Sequence, residues 1–260
     1  MSELIAPGEV WLVGAGPGDA DLLTRKAERL ILAASIVFHD ALVGPDVLDL
    51  IPSHVRRVSV GKRSGRHSKT QPAIDALLVA AAQAGECVVR LKGGDPSIFG
   101  RSTEEIDALA RHGIRVRICP GITAASAAAA SAGLSLTLRG SARQLRLVTA
   151  HARTGAPLDL DWAALADPSA TLAFYMGRGA AADIARQLIA NGLDPATPAL
   201  IASDVSLPSE CLVHTRLDLL GLATDRASGA GPALILIGEA MRAKPSRKFV
   251  RDAIEASASG

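Results

Sequence analysis

Short apolar runs alternate with amphipathic segments along the first half of the chain. The apolar runs predict strands, and the segments between them, several with apolar residues at i, i+3 and i+4, predict helices. The predicted strands cover residues 10–13, 36–38, 58–60, 87–91 and 116–119, and the predicted helices cover 21–33, 46–50, 71–84 and 103–112. This order predicts a mostly parallel sheet with helices on both faces.

The pattern changes near residue 140. A helix of small residues predicted at 124–132 ends at Gly133, and a polar segment follows at 137–141. Beyond it the pattern predicts strands at 145–149, 171–176, 199–202 and 233–238 and a helix at 180–191. We therefore expect two α/β domains, both with mostly parallel sheets, at residues 1–139 and 140–243, followed by a flexible tail at 244–260.

The loop after the first predicted strand is similar to a dinucleotide-binding loop but departs from that pattern. A G-x-G-x-x-G fingerprint beginning at Gly14 requires its third glycine at position 19, where the chain has Asp19. Pro17 also lacks the backbone N–H that would donate to a pyrophosphate. The loop therefore favours a ligand without phosphates, such as a nucleoside with an amino-acid tail.

Unusual loops also follow the four later strands of the first half. Parallel strands bring their carboxyl ends to one edge of the sheet, where ligands bind. One such loop is equally well explained as a tight turn, whereas five at one edge favour a binding site. Three roles are open for Asp40, in the second loop: an N-cap or turn residue, a hydrogen-bond acceptor for a ribose hydroxyl, or a general base. The four loops contain His39-Asp40, Gly61-Lys62-Arg63, Lys92-Gly93-Gly94-Asp95 and Pro120-Gly121-Ile122-Thr123.

Positive charge is concentrated in one stretch, although the formal net charge is only +2. No acidic residue occurs between Asp49 and Asp75, which favours an anionic ligand there. The stretch has no aromatic residue for base stacking, so a small polycarboxylate is a better candidate than nucleic acid. Its basic residues are Arg56, Arg57, Lys62, Arg63, Arg66 and Lys69.

Cysteine, histidine and hydropathy patterns exclude several other classes. The three cysteines lie far apart without a C-x-x-C pair, and the six histidines lack metal-ligand spacing, so neither a disulfide framework nor a metal site is predicted. The most apolar stretch, residues 122–138, is interrupted by Thr, Ser and Gly and falls short of a membrane span. The N-terminus has no signal-peptide pattern, so we expect a cytoplasmic protein.

Seven motifs between residues 10 and 239 identify a family resemblance. On these motifs the chain resembles the tetrapyrrole methyltransferases and, within them, the branch that methylates uroporphyrinogen III. GAGPGD and GGDP are typical of the whole family, whereas GKR-x-G-x-H-S and RLKGGDP-x-IFGR are typical of the branch. The motifs are VGAGPGD (13–19), Asp40 followed by LV (42–43), VGKRSGRHS (60–68), VVRLKGGDPSIFGR (88–101), PGIT (120–123), FYMG (174–177) and PALILIGE (232–239).

The resemblance implies a tetrapyrrole methylase fold: two α/β domains with S-adenosylmethionine and the substrate in the cleft between them, in a homodimer. It implies two methylations of uroporphyrinogen III, at C2 and C7, which give precorrin-2 by way of precorrin-1 for sirohaem and cobalamin biosynthesis. Asp40 would be the proton acceptor and Lys62 the proton donor. The residues implied to contact the cofactor are Pro17, Gly93, Gly94, Asp95, Ile98, Thr123, Ala124, Met176, Val205 and Ala233.

The carboxylates of uroporphyrinogen III match the basic stretch, and five arginines are candidates for bidentate contacts with them. Two positions on the expected substrate side depart from the family pattern, since His39 replaces the usual Tyr and Leu138 the usual His. Only nine residues precede the first predicted strand, so we expect no additional N-terminal module. The candidate arginines are Arg63, Arg66, Arg101, Arg139 and Arg143.

Two alternatives stay open at this point. One is a methyltransferase of the same family that acts on a later corrinoid precursor or on a substrate other than a tetrapyrrole. The other is a non-enzymatic nucleotide- or nucleic-acid-binding protein, which would bind in a salt-dependent way without methyl transfer.

Overall fold

The computed structural model describes residues 4–61, 70–150, 158–226 and 231–242. The chain divides into two compact units. The first comprises Met1–Ser131, Ser203–Cys211 and Gly229–Pro232, and the second comprises Ala132–Ala202, Leu212–Ser228 and Ala233–Gly260. The segment Ser203–Cys211 therefore packs with the first unit although it follows most of the second unit in the sequence.

The first unit is built on a parallel five-stranded sheet in the order β3-β2-β4-β1-β5. The five strands predicted for the first half are confirmed, with ends that differ by at most two residues. The central strands β1 and β4 are buried along their whole length, as expected for a sheet covered on both faces. The strands are β1 (Val10–Gly14), β2 (Ile36–His39), β3 (Arg56–Ser59), β4 (Val88–Lys92) and β5 (Val116–Cys119).

Helices cover both faces of this sheet. Leu30 of α1 and Val47 of α2 belong to the apolar cluster on one face, and Leu78 of α3 and Leu109 of α4 belong to that on the other. The helix predicted from residue 21 begins only at Arg25, because Ala20–Leu22 form a 3-10 turn and the next helix has its own N-cap. The helices are α1 (Arg25–Ala33), α2 (Pro45–Asp49), α3 (Gln71–Gln83), α4 (Ser102–Ala110) and α5 (Ala124–Ser131).

The strand order creates a crevice at the carboxyl edge of the sheet. The neighbouring strands β1 and β4 lead to helices on opposite faces, since α1 follows β1 and α4 follows β4. The chain therefore diverges between the ends of these two strands. In parallel sheets such a divergence is where ligands bind.

The second unit has a mixed sheet in the order β6-β7-β10-β8-β9. Strand β7 is parallel to β6 and antiparallel to β10, which corrects the expectation of a mostly parallel sheet for this half. The half-buried strand β9 and the short helices α6 and α8 were not predicted, because their apolar runs are short and interrupted. The elements are β6 (Gln144–Thr149), α6 (Trp162–Leu165), β7 (Ala170–Tyr175), α7 (Ala181–Ala190), β8 (Pro198–Ser203), β9 (Cys211–Arg216), α8 (Leu220–Arg226) and β10 (Ala233–Ile237).

The longest helix in the described part of the chain is α3, with 13 residues. No helix among the described residues combines the length and the apolar character that crossing a membrane requires.

Candidate active site

The loops after β1 and β4 are joined by hydrogen bonds. The Gly16 amide donates to the Gly94 carbonyl oxygen (3.2 Å), and the Gly94 amide donates to the Gly16 carbonyl oxygen (2.7 Å). The Ala15 amide also donates to the Lys92 carbonyl oxygen at 2.7 Å. Gly94 has a φ of 67°, a left-handed conformation that favours glycine. The two loops therefore form one connected surface at the crevice.

The loop after β5 joins the same surface through Asp95. The Gly121 amide donates to Asp95 Oδ2 (2.9 Å), and a Cβ atom at Gly121 would overlap the Gly94 carbonyl oxygen. The amide and hydroxyl of Ser97 both donate to Asp95 Oδ1, at 2.7 and 2.6 Å. Asp95 thus stabilises the loops, and its Oδ2 retains acceptor capacity because a carboxylate oxygen has two lone pairs.

Asp40 lies beside the loop after β4. Its Oδ1 accepts from the Leu42 amide (3.0 Å), and its Oδ2 accepts from the Gly93 amide (3.3 Å). Arg90 Nη2 is 3.9 Å from Asp40 Oδ2, and the Asp40 side chain is 23% exposed. The carboxylate is therefore oriented by two backbone amides, faces a cation and is accessible to solvent.

A buried group of charged residues adjoins Asp40. Glu105 Oε1 accepts from Arg90 Nε (3.0 Å), and Glu105 Oε2 accepts from Lys92 Nζ (2.8 Å). Burial, together with the neighbouring Arg90, lowers the pKa of Lys92. The sequence interpretation missed Arg90 and Glu105 as site residues. A detectable signal was the two cations two residues apart in VVRLK, because alternate residues of a strand share one face and buried cations require an acidic partner.

His39, at the end of β2, is half-buried next to Asp40. Its Nδ1 is 3.1 Å from the Asp40 carbonyl oxygen. Burial lowers the pKa of His39, and the positive charges of Arg57 and Arg90 add to this effect. The imidazole is therefore largely neutral at neutral pH.

The first unit contains eight of the ten residues predicted to contact the cofactor. Seven lie on the three joined loops or at the start of α5, and the buried Val205 lies in the segment Ser203–Cys211. The other two, Met176 and Ala233, lie in the second unit at one end of the β7–β10 pair, because Leu234 is paired with Tyr175. The seven are Pro17, Gly93, Gly94, Asp95, Ile98, Thr123 and Ala124.

A cavity of about 780 Å³ within the first unit adjoins the loop after β5. Thr123 lines it, together with residues of α5 and of the segment Ser203–Cys211. Ser206 Oγ accepts from the Asp19 amide (3.0 Å), and Glu210 Oε2 accepts from the Ser206 amide (2.7 Å) and from the Ser131 hydroxyl (2.9 Å). Sequence reasoning missed this cavity, since one wall comes from a segment distant in the chain.

The predicted substrate arginines are distributed over both units. Arg101 has a φ of 55°, and its guanidinium donates to Glu104 at 2.6 and 2.8 Å, a contact that raises the pKa of Arg101. Arg139 and Arg143 are exposed and lie in the second unit. Lys62, Arg63 and Arg66 lie outside the described residues.

Two of the basic residues grouped in the sequence have partners within the protein. Arg56 Nη2 is 3.0 Å from Glu86 Oε1, and Arg57 Nη1 donates to the Leu48 carbonyl oxygen at 3.1 Å. These contacts reduce the number of cations in the stretch 56–69 that are available to an anionic ligand.

Comparison with known proteins supports the family resemblance. The sequence profile of the family described as Tetrapyrrole (Corrin/Porphyrin) Methylases matches residues 9–220. The chain belongs to the tetrapyrrole methylase family. It is 50% identical over 231 residues to the uroporphyrinogen-III C-methyltransferase of Paracoccus denitrificans, covering 89% of this chain and 80% of that protein. It is also 48% identical to a siroheme synthase of Gluconacetobacter diazotrophicus, covering 90% of this chain but about half of that protein (50%).

Solved structures show the same fold, so the predicted fold class is confirmed. The uroporphyrin-III C-methyltransferase of Thermus thermophilus, complexed with S-adenosylhomocysteine, is 41% identical, with a TM-score of 0.76 over 90% of this chain and 93% of that one. The cobalt precorrin-4 methyltransferase CbiF is 28% identical, with a TM-score of 0.81 over 90% of this chain and 96% of that one. The tetrapyrrole methylase fold thus serves at least two tetrapyrrole substrates among these relatives.

Proposed function

We propose that this chain transfers methyl groups from S-adenosylmethionine to C2 and C7 of uroporphyrinogen III. The product would be precorrin-2, formed by way of precorrin-1, for sirohaem and cobalamin biosynthesis. The observation that carries the proposal is the hydrogen bond between the Gly93 amide and the Asp40 carboxylate. It supports the proposal because the predicted base then lies directly against the loop predicted to hold the methyl donor.

The joined loops fit a cofactor without phosphates. A Cβ atom at Gly94 would meet no atom within 4 Å, so a ligand can approach that peptide closely. Asp95 Oδ2 retains capacity for a hydroxyl or amine donor, and Pro17 offers no N–H to a phosphate. S-adenosylmethionine, when bound, supplies a methyl group already activated by its sulfonium. The residues proposed to hold it are those predicted above, including Met176, Val205 and Ala233.

The protein's own contribution is alignment and proton transfer. Holding the reacting carbon in line with the methyl group supplies on the order of 7–11 kcal/mol in well-oriented systems. Asp40 accepts on its carboxylate the proton that the methylated ring releases, and its partial exposure lets it pass that proton to water. Lys62, proposed as the proton donor, has this role by family resemblance.

The carboxylates of the substrate are proposed to bind arginine side chains. Arg101 presents a planar guanidinium whose partner Glu104 is itself exposed, so a substrate carboxylate can compete for it. Arg63, Arg66, Arg139 and Arg143 complete the proposed set. Arg→Lys replacements should raise KM, because lysine cannot form the bidentate contact.

The alternative substrate is a later corrinoid precursor, because CbiF, a cobalt precorrin-4 methyltransferase, shares the fold with a TM-score of 0.81. The deciding experiment incubates the purified protein with S-adenosylmethionine and either uroporphyrinogen III or a later corrinoid precursor, with products identified by mass. We expect a gain of two methyl groups on uroporphyrinogen III. A gain only on the later precursor would support the alternative, and salt-dependent nucleic-acid binding without any methyl transfer would overturn both.

We also propose a homodimer and a cytoplasmic location. The dimer rests on the family resemblance, and the location rests on the absence of a disulfide pattern in the sequence. Size-exclusion chromatography with light scattering tests the dimer, and we expect twice the mass of the 26.7 kDa chain.

A further inference from the structure

Three buried charged side chains adjoin Asp40 and have no part in the proposed reaction. Arg90 and Lys92 of β4 are 4% and 5% exposed, and Glu105, in the first turn of α4, is 0% exposed. Burying charges is costly even when they are paired, and apolar residues of similar size often stabilise a fold equally well. The group therefore calls for an explanation other than stability.

The guanidinium of Arg90 is held at two of its three nitrogens. Its Nε donates to Glu105 Oε1 (3.0 Å), and its Nη1 donates to the Leu91 carbonyl oxygen (2.9 Å). The remaining nitrogen, Nη2, is 3.9 Å from Asp40 Oδ2. Arg90 thus faces Asp40 without forming a hydrogen bond to it.

A closer approach of Arg90 would change the chemistry of Asp40. A charge-assisted hydrogen bond between guanidinium and carboxylate is about 2.7–2.9 Å long, and it favours the ionised carboxylate. A carboxylate stabilised in that way is a weaker base. Glu105 competes with Asp40 for the same guanidinium, and its second oxygen binds Lys92 Nζ at 2.8 Å. That second contact fixes Glu105 in its place.

We propose that Glu105 is a positioning residue for Asp40. By holding Arg90 and Lys92, it keeps the guanidinium at ion-pair distance from the Asp40 carboxylate, 3.9 Å, and too far away to form the charge-assisted hydrogen bond that would make Asp40 a weaker base. This inference rests on the proposed function, because it takes Asp40 to be the proton acceptor.

Among the described charged residues near Asp40, Glu105 is the one placed to hold Arg90 in position. Among the described residues, the groups that act on the adjoining His39 are Asp40 itself, Arg57 of β3 and Arg90 of β4. The lowered pKa of His39 leaves it largely neutral at neutral pH. In the part of the chain that the structure describes, the acidic groups that act on Arg90 or Lys92 are Glu105, Asp40 and the exposed Glu104, which acts on Lys92. Glu105 makes the two close contacts.

The test compares Glu105→Gln with Asp107→Asn, which removes an exposed carboxylate from the same helix. We expect Glu105→Gln to lower kcat by roughly 10–100-fold, within the range of lost acid–base catalysis, with little change in S-adenosylhomocysteine affinity. The acid limb of its kcat–pH profile should move to lower pH, because Arg90 then closes on Asp40. Asp107→Asn should match the wild type in both measurements.

A double-mutant cycle with Asp40→Asn separates positioning from general stability. If Glu105 acts through Asp40, Glu105→Gln should have less than about a threefold effect on single-turnover rate in the Asp40→Asn background. Equal losses in both backgrounds, or an unchanged pH profile in Glu105→Gln, would overturn the proposal. If the wild-type protein is inactive toward uroporphyrinogen III, the proposed function is refuted, and this inference is refuted with it.

A triple variant covers the case in which Glu105→Gln fails to fold. Arg90→Met, Lys92→Met and Glu105→Leu together replace the charged group by apolar residues of similar volume, a change that buried ion groups often tolerate. We expect this variant to fold, to lose turnover and to move the acid limb to higher pH, because the positive charges of Arg90 and Lys92 are then removed from the neighbourhood of Asp40. Wild-type turnover and an unmoved limb in the folded triple variant would show that the group serves stability alone.

Discussion

The two sheets of this protein differ in where the carboxyl ends of their strands lie. In the parallel sheet of the first unit, all five carboxyl ends lie at one edge, and hydrogen bonds join three of the loops there. In the mixed sheet of the second unit, β7 and β10 run in opposite directions, so Met176 after β7 lies at the same end as Ala233 at the start of β10. A parallel sheet therefore concentrates functional loops, whereas a mixed sheet divides them between its edges.

The two units also differ in where they bury charge. Glu105 of the first unit is completely buried between two cations. The Arg146–Asp167 pair of the second unit is 2.7 Å long, but both side chains are about a quarter exposed (27% and 24%). Because exposed ion pairs contribute little and buried ones are costly, the buried charges mark the unit in which we expect chemistry.

The largest expected effect comes from a side-chain carbon introduced at Gly121, where the loops after β1, β4 and β5 meet. Gly121→Ala should abolish methyl transfer and cofactor binding, because its Cβ would overlap the Gly94 carbonyl oxygen and lie 2.9 Å from Gly14 Cα. Its matched control is Gly179→Ala in the second unit, where an added Cβ meets no atom within 4 Å. Calorimetric titration with S-adenosylhomocysteine measures both variants. Tight binding by Gly121→Ala would contradict the close loop contact.

Loss of the proposed base should have the next largest effect. Asp40→Ala should lower kcat by roughly 10²-fold or more, as expected for removal of a general base, while cofactor affinity stays nearly unchanged. Asp46→Ala, which removes an exposed carboxylate from α2, serves as the control and should retain full turnover. Steady-state kinetics with uroporphyrinogen III provides the measurement. Normal turnover in Asp40→Ala would remove this residue from the mechanism.

A smaller effect is expected from breaking the Arg146–Asp167 ion pair of the second unit. Arg146→Ala should reduce the free energy of unfolding by about 0.5–1 kcal/mol, as for a partly exposed pair, with no change in kcat. Hydrogen bonds from Ser169, followed by the Arg146 charge, lower the pKa of Asp167, so this contribution is present near neutral pH and is lost in acid as Asp167 is protonated. Urea unfolding at neutral and acidic pH checks both statements. A large loss of kcat in Arg146→Ala would contradict the contrast between the units.

The smallest effect concerns His39. Because burial lowers its folded-state pKa below 6.5, the unfolded chain binds more protons just below pH 6.5, and stability should rise with pH across that window. His39→Gln should remove this part of the pH dependence. Urea unfolding of the wild type and the variant between pH 5 and 7.5 tests this. Parallel stability curves for the two proteins would refute it.

Much of the first unit could be predicted from the sequence because its signals are local. The strands and the failed dinucleotide fingerprint at Asp19 depend on neighbouring residues alone. The segment Ser203–Cys211 and the cavity wall at Glu210 could not be predicted, since their packing partners lie far away in the chain. The mixed pairing of β7 with β10 was also missed, because an apolar run does not specify the direction of its neighbour.

By itself, the sequence determined the order of the strands and helices of the first unit, the family and a phosphate-free cofactor, because hydrophobic periodicity and short motifs are properties of contiguous residues. Only the tertiary structure decided that Glu105 binds Arg90 and Lys92, and that Arg90 Nη2 lies 3.9 Å from Asp40 Oδ2. The physical reason is that the strength of a hydrogen bond between charged groups changes when the distance between donor and acceptor changes by a few tenths of an ångström. Such distances are determined when β2, β4 and α4 pack together, and no local pattern encodes them.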